Sequence, residues 1–503
     1  MASEVGEPVT PPSSWRDQLR GGSFPLMLAI VLWLLVYRSP DFVWGDTWFN
    51  LVLGRQVAES GVILRDATTA TGWGAPVIDV QWLAHLIFFR IVDAAGVVGL
   101  VLIGAAWIAA CIALAGVLAL RAGATPGRVL LATLVAFTAL GSPLPLRAQT
   151  LVYPMLILFP AVLRLDAERP SARTWLLVPA AMLWANLHGS VLLAPIFTGA
   201  VLVARILDAW RSQRAVRWLL AIRDGALMLT MAASIFLTPY GTDVWHYYAQ
   251  TAGNPVFRQY LTEWWPLWWS PDAHKITLLV VIAIATARSW RRTDSFTLLV
   301  LAGLVAMQIT SIRHATPLAL ACLVMLPALL DEALGQIFRM DFREFTPRLA
   351  TRTLLVSAIA FVVGIPFGAH TAVATPGPAS LEARIAAEPV RQCLLVDEQQ
   401  ADRLMWYYPQ LTGRLSHSAR METIPTWFIE RLSTTYAAPR TPAARDFLRR
   451  YPMVAMDDRL NAKVVEVLTR DTQFERVGHA GSLHVFRNRL AKSMVTDPCR
   501  SPA

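Results

Sequence analysis

The sequence predicts an α-helical polytopic membrane protein with a small α/β domain outside the membrane at its C-terminal end. Three observations lead there. Apolar residues make up 55% of the 503 and charged ones only 16%, and the mean hydropathy of +0.45 lies far above that of soluble domains. The apolar residues gather into roughly eleven runs able to cross about 30 Å of hydrocarbon. Beyond residue 373 these runs stop, and short strand-like and helix-like segments alternate.

The elements follow in chain order. Residues 1–23 form a tail whose Arg16 and Arg20 precede the apolar run Phe24 to Tyr37; Arg38-Ser-Pro-Asp follows instead of small residues at cleavage spacing, so the run reads as a retained signal anchor. Spans are expected near 24–40, 97–120, 125–141, 149–165, 174–187, 190–208, 219–238, 275–289, 295–310, 315–333 and 353–372, which makes 24–372 the membrane domain. The connections 121–128, 164–173, 205–223, 288–292 and 339–352 are rich in arginine. The positive-inside rule therefore puts them and the N-terminus in the cytoplasm. This asymmetry accounts for most of the +10 net charge, and nucleic-acid binding loses its main motive.

Outside the cytoplasm then lie loops 41–96 and 239–274 and the domain 373–503. In the first loop, Thr47 to Glu59 and Gln81 to Ala95 read as amphipathic helices in the headgroup region. The second holds Trp245, Trp264, Trp265, Trp268 and Trp269, an interfacial aromatic belt. In the C-terminal domain, strands are expected at 393–396, 414–418, 453–456 and 482–487, and helices at 399–408, 425–435, 443–450 and 461–470. It has no glycine-rich phosphate loop. Cys111 and Cys322 sit inside apolar runs, whereas Cys393 and Cys499 share the non-cytoplasmic side, where a bridge between them is open. No spacing of cysteine and histidine marks a metal site.

The unusual polar residues fall on one face. Asp41 and Asp46 follow the first span, Arg147 and Gln149 the third, Asn186 and His188 end the fifth, Tyr240 and Glu263 follow the seventh, and Arg313 and His314 the ninth. Such groups at the hydrocarbon edge are costly unless they face a cavity or one another, so their convergence points to a shared site. Each also has a plainer reading. Asp46 suits a helix N-cap, His188 a satisfied interfacial histidine, Arg147 and Arg313 snorkelling side chains, and Glu263 a solvated loop charge. Taken together, an acidic residue suits a general base for a hydroxyl, arginines and histidines suit a lipid phosphate, and tryptophan faces suit sugar rings. These parts fit sugar transfer from a phosphorylated lipid.

At these residues the sequence resembles the GT-C superfamily of multi-span glycosyltransferases, which includes protein O-mannosyltransferases, aminoarabinose transferases of lipid A and oligosaccharyltransferases. Within it the segment Asp46-Thr-Trp-Phe-Asn-Leu-Val-Leu-Gly-Arg55 is similar to a bacterial branch, as are "GVILRDATTAT", "VQWLAHLIFF", "RAQTLVYP", "LWANLHGS", "LTPYG", "RQYLTEWWP", "IRHATPLAL" and the C-terminal "LLVDEQQADRLMWYYPQLTGRL". The resemblance implies a polyprenyl-phosphate-linked sugar as donor, a glycan, lipid or protein acceptor outside the cytoplasm, and a place in the inner or plasma membrane of a bacterium. It implies Asp46 as catalytic base with Asp41 as second candidate, and Arg147, His188, Arg313 and His314 as contacts of the donor phosphate or sugar. Glu263, Tyr240, Trp48 and His85 become acceptor or positioning residues. Unlike many members, "SPLPLRAQT" lacks an acidic residue, so no metal ligand is assigned and a divalent cation stays an open cofactor. The expected activity is an inverting glycosyltransferase; the alternatives are a transporter of a lipid-linked glycan and a non-catalytic membrane scaffold. The lack of a convincing internal repeat disfavours transport.

Overall fold

The computed structural model describes residues 15–20, 22–140, 144–252, 254–335, 347–388, 392–490 and 499. Helices occupy every segment where a span is expected. They are Ser23–Arg38, Trp82–Arg121, Pro126–Ala139, Tyr153–Glu168, Leu177–Leu187, Leu193–Arg211, Trp218–Ser234, Ala273–Ser289, Ser295–Thr310, Ala315–Leu334 and Pro347–Val373. Among the described residues, five stretches are long and apolar enough to cross a membrane by themselves: Ser23–Asp41, Trp82–Arg121, Gly189–Arg211, Ile312–Leu334 and Arg348–His370. The chain is a membrane protein. Helix Ala315–Leu334 is the most deeply packed, with Leu318, Ala321 and Leu326 fully buried between Pro126–Ala139, Ala273–Ser289 and Tyr153–Glu168.

The arginine-rich end of the bundle is tied by charge. Asp166 and Asp224, each 2% exposed, sit between Arg205 and Arg223, and Arg205 Nε reaches Asp224 Oδ2 at 2.6 Å. This fastens helices Tyr153–Glu168, Leu193–Arg211 and Trp218–Ser234. Removing one partner would leave a buried charge without compensation.

At the opposite end, the expected interfacial helix 81–95 and the span 97–120 are two halves of one 40-residue element, Trp82–Arg121, broken at Gly96. Gly96 has φ 69° and ψ 177°, a conformation that a residue with a Cβ rarely adopts. The first half does not lie free on the bilayer surface. His85, Phe88 and Val92 are buried against helix Gly45–Ser60, and a Cβ at Gly54 would meet the carbonyl oxygen of His85 at 2.1 Å. The two helices therefore pack backbone to backbone, which only a glycine there allows.

The C-terminal segment forms a four-stranded sheet of order β1-β2-β4-β3, from β1 (Leu395–Val396), β2 (Met453–Asp457), β3 (Phe474–Ala480) and β4 (Leu483–Asn488). β1 runs parallel to β2, and the other pairs are antiparallel. β2 is buried along its whole length, with helices Glu398–Tyr407, Thr426–Ala437, Pro442–Arg449 and Asp458–Arg470 around the sheet. β3 was not expected, because of its seven residues only Phe474 is buried and the apolar alternation that marks a strand is missing. The segment 414–418, expected as a strand, makes only an isolated bridge between Leu394 and Leu415. Its other edge is taken by the loop before helix Trp82–Arg121: Ala70 N–H donates to Leu415 O at 2.8 Å and Thr71 Oγ1 to Ser416 O at 2.6 Å. A disulfide joins Cys393 to Cys499, with Cα atoms 6.2 Å apart.

Candidate functional site

Two loops at one end of the bundle are knitted together before any site residue enters. Leu146 N–H donates to Phe42 O at 2.9 Å, and the Thr47 hydroxyl reaches Phe42 O at 3.1 Å and Leu146 O at 2.9 Å. This fixes helix Gly45–Ser60, where Asp46 is the second residue, against Arg147, which precedes the short helix Ala148–Leu151. Arg147 Nη1 lies 3.4 Å from Asp46 Oδ2. Asp46 is not the N-cap. Trp44 holds that position, and its N–H donates to the Thr47 hydroxyl at 3.3 Å, so the Asp46 carboxylate is left for other work.

The carboxylate keeps 44% of its side-chain exposure. Burial pushes its pKa up; Arg147 draws it down, Glu263 raises it and Arg313 lowers it. All three charges are therefore within electrostatic reach of Asp46. Arg313 Nη1 is 3.7 Å from Glu263 Oε1, and its guanidinium lies over Trp264 at 4.1 Å from the ring centroid. Backbone bonds from Leu267 N–H to Ile309 O at 3.0 Å and from Ile312 N–H to Trp265 O at 2.9 Å hold these two loops together.

His188 joins the group. Its Nδ1 accepts the N–H of Ser190 at 3.1 Å, which assigns the ring proton to Nε2. Burial, aided by Arg313 and Arg147, pushes its pKa down to about 3. The ring is thus a neutral donor. His314 turns back on the preceding helix, Ser295–Thr310, with Nδ1 3.0 Å from Met307 O.

Four expected site residues lie elsewhere. Asp41 faces Arg38 at 3.4 Å. Trp48 is 3% exposed and packs on Tyr407 with ring centroids 5.4 Å apart, so it offers no face to a sugar. The Tyr240 hydroxyl donates to Ile63 O at 2.8 Å and staples a loop. His85 is 1% exposed and engaged at both nitrogens, Nδ1 at 2.8 Å from Asn50 Oδ1 and Nε2 at 3.1 Å from Asp79 Oδ1. None of these three presents a free group to an acceptor.

Sequence reasoning missed contributions from the C-terminal segment. Glu398 opens a helix packed on Gly45–Ser60; burial, with Asp397, Asp46 and Glu263 adding to it, pushes its pKa up to about 7. An acidic residue at a helix start reads as dipole complement, which hid it. Gln399 Oε1 accepts the Gly45 N–H at 3.2 Å. Glu422 lies 3.9 Å from Arg420 Nε, and burial raises its pKa while Arg420 opposes the rise.

Among the described residues no three His, Cys, Asp or Glu side chains come together to hold a metal ion, and Asp46 is matched to an arginine. This donor set does not fit a divalent cation, and no chemistry is routed through one.

The helical bundle, with a carboxylate-bearing helix at one rim and a small mixed sheet beyond it, shares its fold with a solved bacterial protein. The chain is similar to ArnT from Cupriavidus metallidurans, solved bound to undecaprenyl phosphate, with a TM-score of 0.50 at 13% identity over 95% of this chain and 99% of that one. The same protein in the apo state gives a TM-score of 0.44 at 13% identity over the same shares. No family model and no curated relative matches the sequence.

Proposed function

We propose that the protein is an inverting glycosyltransferase that moves a sugar from a polyprenyl phosphate to a hydroxyl of a glycan, lipid or protein outside the cytoplasm. The observation that carries this reading is the Asp46 carboxylate, uncapped and facing Arg147 at 3.4 Å at the rim of the bundle. Asp46 takes the acceptor hydroxyl proton as the acceptor oxygen bonds to the anomeric carbon. The bond from that carbon to the phosphate oxygen breaks on the opposite face, and the charge gathering on the phosphate meets Arg147 and Arg313, with His188 Nε2–H as neutral donor. Proton transfer and departure on opposite faces in one step give inversion. The solved relative's undecaprenyl phosphate supports this lipid class as donor.

In this reading the eleven helices named above all cross the membrane, the arginine-rich end faces the cytoplasm, and the sheet lies outside it. Residues 24–372 form the membrane domain and 373–503 the outer one. The buried partners of Trp48, Tyr240 and His85 leave acceptor contacts to Glu263 and Glu398, both within electrostatic reach of Asp46.

The test is mass spectrometry of lipids that copurify with the solubilised protein, compared with an Arg147→Ala, Arg313→Ala double variant. Enrichment of a polyprenyl-phosphate sugar on the wild type and its loss from the variant is the expected result, and it names the sugar. With that donor in hand, Asp46→Asn keeps the lipid bound and loses turnover; turnover retained in this variant rules out the proposed base.

A further inference from the structure

Asp46 is connected to the C-terminal segment by a continuous buried relay. Asn50 Nδ2 donates to the backbone oxygen of Asp46 at 2.5 Å, which turns Asn50 Oδ1 toward His85 Nδ1 at 2.8 Å. His85 Nε2 meets Asp79 Oδ1 at 3.1 Å, and Asp79 Oδ2 forms an ion pair, not a hydrogen bond, with Arg420 Nη2 at 3.3 Å. The two ring nitrogens of His85 thus face an amide oxygen and a carboxylate oxygen. Asn50, His85 and Arg420 are each 1% exposed and Asp79 5%. Four residues from three separate segments of the chain thus form one buried line from Arg420 to the residue proposed as base.

The line is kept at a cost. Arg420 Nε and Nη1 are buried without a hydrogen-bond partner among the described residues, and a desolvated guanidinium with unmet donors is less stable than an apolar side chain of similar volume. Stability alone does not account for it. A second, separate contact reaches the same helix end: Gln399 Oε1 holds the N–H of Gly45, the residue before Asp46, at 3.2 Å. Farther along, Arg55 donates to Trp406 O at 2.9 Å and stacks on that ring at 4.4 Å. Helix Glu398–Tyr407 therefore runs beside Gly45–Ser60 and grips it at both ends.

We propose that Arg420 and Gln399 are positioning residues for Asp46: the C-terminal segment sets the aim of the carboxylate through the Asp79–His85–Asn50 relay and through the contact at Gly45. This rests on the reading of Asp46 as base, but the tether itself does not. The outer segment is then part of the catalytic apparatus and not only a place where an acceptor docks.

The experiment uses the full-length protein in nanodiscs of phosphatidylethanolamine and phosphatidylglycerol. Hydrogen–deuterium exchange is read at amides 45–50 and, as a fold control, at β2; undecaprenyl phosphate binding and consumption of the copurified donor are measured alongside. Arg420→Gln and Gln399→Ala each speed exchange at 45–50 by about tenfold or more while β2 is unchanged. Binding of undecaprenyl phosphate stays within about threefold, and kcat falls with KM for the donor unchanged. Arg420→Lys, which keeps the charge beside Asp79, restores most of the protection. Gln399→Ala sits at a partly exposed position, so it remains informative if Arg420→Gln misfolds. Unchanged exchange at 45–50 in both variants, or loss shared equally with β2, overturns the proposal. Faster exchange with donor consumption intact keeps the tether and removes Asp46 as base.

Discussion

Arg147 Nη1 stands 3.4 Å from Asp46 Oδ2, inside ion-pair range yet longer than the 2.7–2.9 Å typical of a charge-assisted hydrogen bond. The two groups attract without saturating each other. Under the proposed function, the carboxylate's remaining capacity serves a hydroxyl proton and the guanidinium's a phosphate oxygen.

Arg147→Ala therefore lowers kcat/KM for the polyprenyl-phosphate donor by about 10²–10³. Arg147→Lys recovers only part, because an ammonium does not reproduce the planar fork. Titration of donor against initial rate checks both. An Arg147→Ala enzyme within a factor of about two of wild type would remove this residue from the donor site.

Glu263 raises the pKa of Asp46 and Arg147 lowers it. A base must be ionised, so activity rises with pH through that pKa. Glu263→Gln removes a negative charge and moves the acidic limb of the kcat/KM profile to lower pH; Arg147→Ala moves it to higher pH. Shifts in the opposite directions would show that the limb belongs to another group.

Asp402 is 1% exposed; burial is the main cause that pushes its pKa up to about 8, with an opposing bond from the Ala419 N–H. With the folded pKa above the unfolded one, the stabilising contribution is full below the ordinary carboxylate value of 3.8 and is lost as pH rises through about 8. The C-terminal segment should melt earlier at pH 9 than at pH 6. Asp402→Asn, which cannot ionise, raises Tm at pH 9 by about 2–4 °C and changes it little at pH 5. Equal shifts at both pH values would assign the effect to packing.

Gly96 has open space around its missing Cβ but a backbone at φ 69°. Gly96→Ala thus costs about 1–3 kcal/mol through the backbone alone. Gly303 also has open space, lies inside helix Ser295–Thr310 and carries no positive φ, so Gly303→Ala is neutral or stabilising by about 0.5–1 kcal/mol. Thermal unfolding of the two variants separates strain from volume, and equal Tm changes would refute the assignment.

Apolar run length located a helix in every expected span, because most runs are bounded by Arg, Pro, Gly or an acid, whose solvation or backbone preference ends them. The convergence of Asp46, Arg147, Glu263, Arg313 and His188 was also legible, since costly groups recur at one end of alternate runs. What the sequence hid was contact between distant segments. Trp48 and His85 have the composition of surface ligands, and only the packing of Tyr407 and Asp79 against them turns them inward. Glu398 was concealed by an ordinary role at a helix start, and β3 by an exposed face that carries no alternation.

The Cys393–Cys499 bond joins residues 106 apart in sequence and turns the intervening chain into a closed covalent ring. Glu398, Gln399, Arg420 and the whole sheet are inside that ring. A single protease cut anywhere in it would leave both pieces attached to the membrane part until a reductant is added. The unit that grips the Asp46 helix is therefore lost by two chemical events and not by one, and a non-reducing gel of nicked protein would show one band where a reducing gel shows two.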